Sequence, residues 1–188
     1  MQGVIGHYRT ATALLAFTLL GAAPAPRVIP HPGGGPALVV PSDSPVRFTG
    51  FDKDGAAHFS GRFELSGAFT YGCEHDCEGP VSENELSLEL VPDQALAERL
   101  PHWQERGDRM AVYIDGAARL TSSVIGRRQK AALLSGRLAD VRGHITITVD
   151  DYAADFGCDY SPFYSARFVA LAMPPKLAQI ELDGAFGC

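Results

Sequence analysis

The segment Cys73–Cys77, with the sequence CEHDC, holds the densest group of chemically reactive side chains in the chain. If it is an extended strand, Cys73, His75 and Cys77 point to one face, because successive side chains alternate. Thiolate and imidazole groups on one face are suitable ligands for zinc or copper. If it is a turn, the two cysteines can instead form a disulfide, which requires Cα atoms about 4.4–6.8 Å apart. The segment therefore indicates either a metal site or a structural disulfide.

A second candidate site is the acidic and aromatic segment 150–164, which is expected to form a loop after a strand. Its carboxylates and rings are suited to binding a polar ligand or a hard cation. The residues chosen as its binding surface are Asp151, Tyr152, Asp155, Asp159 and Tyr160. The alternative interpretation is a solvated acidic loop with aromatic residues in the core.

Motifs that would identify an enzyme are absent from the sequence. No serine has the flanking glycines of a nucleophile elbow, and there is no H-E-x-x-H metal motif, phosphate-binding loop or dinucleotide fingerprint. No cofactor is predicted apart from the metal ion that Cys73, His75 and Cys77 would bind. The sequence thus favours a non-catalytic protein, and an enzyme without a recognisable motif is a further alternative.

The amino terminus has the pattern of an export signal. Arg9 precedes a short apolar stretch from Ala11 to Leu20, which is followed by small residues. About ten apolar residues are too few to cross a bilayer, which needs roughly 20. Residues 1–23 are therefore interpreted as a signal peptide, and the protein is expected to be periplasmic or secreted.

The cysteine content is consistent with export, because exported proteins meet an oxidising environment. The four cysteines are Cys73, Cys77, Cys158 and Cys188. An even number favours two disulfides, for which three connectivities are possible.

The bias of the basic residues towards arginine also suggests a bacterial source.

The charge of the chain limits its partners. With 16 basic and 22 acidic residues, the formal net charge is −6. An acidic protein is not expected to bind nucleic acid or an anionic membrane as its main partner. A small ligand or a protein of the cell envelope is the expected partner.

The elements that must position these residues are mainly strands. Residues 24–45, rich in proline and glycine, are predicted to be a linker, and residues 46–188 a single β-rich domain. Strict alternation from His58 to Tyr71 predicts a long strand with one buried face. The sequence Asp52-Lys53-Asp54-Gly55 predicts a hairpin turn before it. Later strands are predicted near Leu86–Leu90 and Met110–Ile114, and a second hairpin is predicted from Lys130–Asp140 and His144–Val149.

These strands predict a mainly β fold with one or two short helices, either a small antiparallel barrel or a β-sandwich. A long first strand bent at glycines resembles the five-stranded barrel called the OB-fold. Residues 131–151 also resemble the closing hairpin of such barrels in small exported bacterial proteins. One departure is that the predicted helix, Gln94–Leu100, follows the second main strand, whereas the OB-fold has its helix after the third. Since many functions use either fold, the functional prediction is an exported, non-catalytic binding module, with a metal-binding protein as the alternative.

Overall fold

The computed structural model describes residues 24–73, 79–105, 110–116, 118, 120, 124–156, 161–172 and 178–182, the last of these through the backbone alone. The strands are β1 Arg27–Ile29, β2 Leu38–Val40, β3 Arg47–Phe51, β4 Ala57–Ser60, β5 Phe63–Cys73, β6 Leu86–Pro92, β7 His102–Trp103, β8 Val112–Asp115, β9 Asp140–Phe156, β10 Pro162–Leu171 and β11 Ala178–Leu182. The helices are α1 Gln94–Ala97 and α2 Arg127–Leu134. The prediction of a mainly β fold with short helices is confirmed.

Five strands form a closed ring of hydrogen bonds. Strand β5 pairs with β6, β6 with β8, β8 with β10, β10 with β9, and β9 returns to β5. All of these pairs are antiparallel except β8 with β10, which is parallel. An odd number of strands requires this exception, because directions that alternate around a closed ring of five cannot all be opposed.

The strand predicted from His58 to Tyr71 is divided in two at Gly61. Gly61 has φ +129°, a conformation that side-chain-bearing residues rarely adopt. Strands β4 and β5, on either side of it, both pair with β9, and the register shifts by one residue between them. Phe59, Phe63 and Leu65 are buried as the alternation predicted, so the predicted inward face is confirmed.

The predicted turn at Asp52 is also present. The Asp52 carboxylate accepts hydrogen bonds from the backbone amides of Asp54, at 2.9 Å, and Ala56, at 3.0 Å. Strands β3 and β4 form the hairpin around this turn. The hairpin extends the sheet beyond β9, because β4 pairs with β9.

The second predicted hairpin is wrong over most of Lys130–Asp140, where the structure has the helix α2 and the turn after it. The amides of Gly136 and Arg137 donate to the carbonyls of Leu133 and Ala132, and Gly136 has φ +68°. This is the Schellman arrangement that ends many helices. Helix α2 therefore lies between β8 and β9, the third and fourth strands of the ring, which is the position that the OB-fold resemblance requires. The helix predicted at Gln94 is a different one, and it is present after β6 as α1.

The proline- and glycine-rich region 24–45 differs from the predicted linker. It contributes β1 and β2 to a three-stranded sheet completed by β7. Leu38 is fully buried, and the His31 ring lies 5.4 Å from the Trp103 ring, edge to face. A short apolar run, Ala37–Val40, pairs with a distant strand, so the average composition of the region did not predict its structure. The predicted signal peptide, residues 1–23, lies outside the described residues.

One hydrophobic core fills the ring and continues beneath the small sheet. Its fully buried side chains include those of Leu38, Leu65, Leu90, Trp103, Ile147 and Tyr164. Because the inward positions of the ring are used for packing, side chains available to a ligand lie on the outer face of the strands.

Candidate functional site

The predicted metal site falls largely outside the described residues. Cys73 is the last residue of β5 and pairs with Leu86 of β6, whereas His75 and Cys77 are not described. In the part of the chain that the structure describes, no group of three or more histidine, cysteine, aspartate or glutamate residues is arranged to hold a metal ion.

The segment predicted to be a binding loop is largely a strand. Strand β9 continues through Phe156 and pairs with β10, which begins at Pro162. Tyr152 is fully buried, and its hydroxyl donates a 2.7 Å hydrogen bond to the carbonyl of Pro101. The prediction that Tyr152 lies on a binding surface is therefore wrong, since its ring and its hydroxyl are both used in the core.

The other residues chosen in that segment divide into three cases. Asp155 is half-buried; its carboxylate accepts from the amide of Phe156, and its carbonyl accepts from the Trp103 indole at 3.1 Å. Asp151 is exposed and pairs with Arg167. Asp159 and Tyr160 lie outside the described residues.

The outer face of β6, β8 and β10 has an aromatic pair that sequence reasoning missed. The rings of Tyr113, on β8, and Phe163, on β10, are stacked with centroids 4.7 Å apart and an interplanar angle of 22°. Phe163 is 37% exposed, one of two large hydrophobic residues exposed to this degree in the described part of the chain. The signal was present in the alternation of β8, where Val112 and Ile114 point inward and Tyr113 between them points outward.

The aromatic pair lines a concavity of about 360 Å³, which we call the aromatic cavity. Its polar lining includes Glu83, Ser87 and Asp115. The Lys130 ammonium of α2 lies 2.8 Å from the Glu83 carboxylate, and this hydrogen bond raises the pKa of Lys130. The ion pair connects α2 to the edge of the cavity.

A second concavity of about 590 Å³ adjoins the first, since Asp115 and Gly116 line both. We call it the charged cavity, and its other lining residues are Arg62, Asp150, Arg167, Phe168 and Val169. The Asp150 carboxylate lies 2.9 Å from Nε of Arg167 and 3.6 Å from Nη2 of Arg62. The hydrogen bond from Arg167, aided by the positive charge of both arginines, lowers the pKa of Asp150.

Two histidine–aspartate pairs lie elsewhere on the outer surface. Nε2 of His58 is 3.0 Å from Asp52, and Nε2 of His144 is 2.9 Å from Asp93. The histidine hydrogen bond is in each case the largest cause of a lowered aspartate pKa. The side chain of His58 is 50% exposed and that of His144 is 39% exposed.

The second pair includes a serine but is not arranged as a nucleophilic triad. The Ser66 hydroxyl hydrogen-bonds to the Asp93 carboxylate and thereby also lowers the pKa of Asp93. It also accepts a 3.1 Å hydrogen bond from the Thr146 hydroxyl. Activation requires the imidazole to contact the serine and the carboxylate to lie behind the imidazole. Here the carboxylate lies between the other two groups, so this cluster provides no base for Ser66.

In the described part of the chain, the model contains no helix with the length and apolar character needed to cross a membrane. Comparison of the chain with protein-family models, with curated proteins and with solved structures finds no match in any of the three.

Proposed function

We propose that the protein is an exported, non-catalytic binding module of the cell envelope, and that it binds a neutral sugar in the aromatic cavity. The observation that carries this proposal is the stacked pair Tyr113–Phe163, which opens onto a concavity instead of packing in the core. An exposed aromatic surface with a few polar neighbours is the usual composition of a small-ligand site.

The polar groups around the rings favour a sugar over other ring-bearing ligands. A pyranose has an apolar C–H face that packs on aromatic rings and hydroxyl groups that donate hydrogen bonds at its edge. The Asp115 and Glu83 carboxylates and the Ser87 hydroxyl are suitable partners for those hydroxyls, since ionised carboxylates only accept hydrogen bonds.

The same carboxylates disfavour a nucleic acid. A polynucleotide needs cationic groups for its phosphates. Among the described residues, Lys130 is the one cation that pairs with a lining residue of the aromatic cavity, and that residue, Glu83, neutralises it. The net charge of −6 adds a repulsive term at long range.

The proposed compartment is supported by the sulfur chemistry at the end of β5. Cys73 is disulfide-bonded, and such bonds persist mainly in oxidising environments. A disulfide sulfur is also unavailable as a thiolate ligand, so this observation supports the binding module over the alternative of a metal-binding protein at Cys73, His75 and Cys77.

The test is a titration of the ¹⁵N-labelled protein with two neutral oligosaccharides, chitotetraose and maltotetraose, followed by amide chemical shifts. We expect at least one of them to shift the amides of β8 and β10 around Tyr113 and Phe163. Phe163→Ala and Tyr113→Ala should each weaken binding about tenfold, a loss of about 1.4 kcal/mol, because each removes one ring of the aromatic surface on which the sugar packs.

The matched control is Val28→Ala, which shortens the other exposed hydrophobic residue, 52% exposed on β1, and should leave the affinity unchanged. Binding of neither oligosaccharide by the folded protein would overturn the sugar assignment. Preferential binding of an oligothymidylate added as a competitor would replace it with a nucleic acid.

A further inference from the structure

The charged cavity is lined by groups of both charges, and only some of them form short ion pairs with each other. Arg167 and Asp150 are held together at 2.9 Å, and Arg167 also reaches Asp151 at 2.8 Å. The Arg167 guanidinium thus contacts Asp150 through Nε and Asp151 through Nη2. These contacts leave Arg62 and Asp115 as the charged lining groups with capacity for another partner.

Arg62 has one ion contact in the described residues, and that contact is long, at 3.6 Å from Asp150. Its side chain is 64% exposed, and a guanidinium has five N–H donors, so Arg62 has donors beyond the one that faces Asp150. Asp115 is exposed and has no ion pair with any residue that the structure describes. One cavity thus presents an available guanidinium and an available carboxylate.

The backbone at this cavity departs from regular strand geometry. Asp151 has φ +50°, the only positive value among the described residues other than glycine. It lies where the pairing of β9 with β10 shifts register, between the pairs Asp150–Arg167 and Ala153–Ser165. This bulge allows two consecutive carboxylates to reach one arginine. Such conformations are strained for residues other than glycine, and they cluster at sites that bind ligands.

We propose that the charged cavity binds a zwitterion, namely an α-amino acid or a short peptide with free termini. Arg62 pairs with the ligand carboxylate, since a guanidinium can make two parallel hydrogen bonds to it. Asp115 accepts hydrogen bonds from the ligand ammonium. Phe168, half-buried, and Val169 contribute apolar surface for the ligand side chain.

This inference does not depend on the sugar site, although the two cavities share Asp115. A peptide carries charges of both signs and needs no aromatic platform. A sugar needs the platform and has no use for Arg62. Variants of Arg62 and of Phe163 therefore distinguish failure of one proposal from failure of the other.

The experiment titrates the ¹⁵N-labelled protein with leucyl-leucine at pH 7 and follows the amides of β8, β9 and β10. Leucyl-leucine should bind about 5- to 10-fold more tightly than N-acetyl-leucyl-leucine or leucyl-leucine amide, each of which lacks one terminal charge. Arg62→Gln should abolish the preference for a free carboxylate, and Asp115→Asn the preference for a free ammonium. Phe163→Ala should change neither preference.

The control is Arg137→Gln, because Arg137 is an exposed arginine whose Nε donates to Ser135 and which does not line the charged cavity. It should bind leucyl-leucine as the unmodified protein does. Arg62→Lys, which keeps the charge and loses the two-pronged geometry, should retain an intermediate preference. Equal binding of the free and blocked peptides, or no binding by the folded protein, would overturn the proposal.

Discussion

Phe63 and Phe163 are the same residue type on two sides of one ring of strands. Phe63, on β5, is 7% exposed and lies edge to face with Tyr152, at a centroid distance of 6.2 Å. Phe163, on β10, is 37% exposed and stacks on Tyr113 outside the ring. The first side chain is surrounded by the core, and the second has one surface in contact with the protein and another in contact with solvent.

The difference separates the residues that hold the fold from those that can recognise a ligand. Burial of a large apolar side chain stabilises the fold by about 1.5–3 kcal/mol, and in this protein that burial occurs on the inward positions. The outward positions of β8 and β10 are less constrained by packing. They can therefore present an aromatic pair and charged groups with a smaller consequence for stability.

The largest effect is expected from Phe63→Ala. Removing a buried aromatic ring leaves a cavity and should lower the free energy of unfolding by about 3–5 kcal/mol. Denaturant unfolding followed by circular dichroism measures this quantity. A change in the free energy of unfolding of less than about 0.5 kcal/mol would show that Phe63 contributes no more to stability than a surface residue does.

A smaller effect is expected from Tyr152→Phe. The ring is retained, so the stacking with Tyr164 at 6.4 Å survives, but the buried carbonyl of Pro101 loses its 2.7 Å partner. An unsatisfied buried polar group costs about 1–3 kcal/mol. Unfolding experiments on the variant should show this loss, whereas unchanged stability would mean that water reaches the carbonyl.

Asp150→Asn should lower the free energy of unfolding by about 1 kcal/mol at neutral pH. The effect is small because the partners of Asp150, Arg167 and Arg62, are largely exposed to solvent. The folded-state pKa of Asp150 is lowered, chiefly by Arg167. Below about pH 4, where an unperturbed aspartate takes up its proton, the unfolded state therefore binds more protons than the folded state. The stabilisation is present above this pH and is lost as the pH falls through the folded-state pKa.

The measurement is a pair of unfolding titrations, at pH 7 and pH 3, on the unmodified protein and on Asp150→Asn. The difference in stability between the two proteins should shrink at pH 3. Glu64→Gln on β5 serves as the control, because it removes one exposed carboxylate for which the described residues provide no ion pair. A difference that grows on acidification would contradict the assigned direction.

The smallest change in stability is expected from Phe163→Ala. Because the ring is partly exposed, its removal should lower the free energy of unfolding by less than about 1 kcal/mol, mainly through the lost stacking on Tyr113. The same unfolding experiment checks this value. A loss as large as that for Phe63→Ala would remove the distinction between the two faces.

Some elements were predictable because their signal is local. The alternation around Phe63 predicted which face of β4 and β5 is buried, and the Asp52 turn forms through hydrogen bonds within five residues. Helix α2 also has a local signal, namely Ala and Leu residues followed by Ser135-Gly136, where glycine supplies the left-handed conformation of the C-terminal cap.

Strand β9 shows why the segment predicted to be a loop is largely a strand. Consecutive aspartates such as Asp150 and Asp151 are depleted in strands, so the segment was interpreted as a loop. The structure accommodates them in a bulge against Arg167, which is distant in sequence. Tyr152 becomes a core residue for the same reason, since the strand that carries it continues past the aspartates.

The sequence by itself determined the fold class, the buried face of β5 and the position of the first hairpin, because alternation and turn chemistry act over a few residues. The tertiary structure decided the closure of the ring, the pairing of β2 with β7 and the meeting of Tyr113 with Phe163. These contacts join residues far apart in the chain. Their formation depends on the burial of a shared core, which no local pattern specifies.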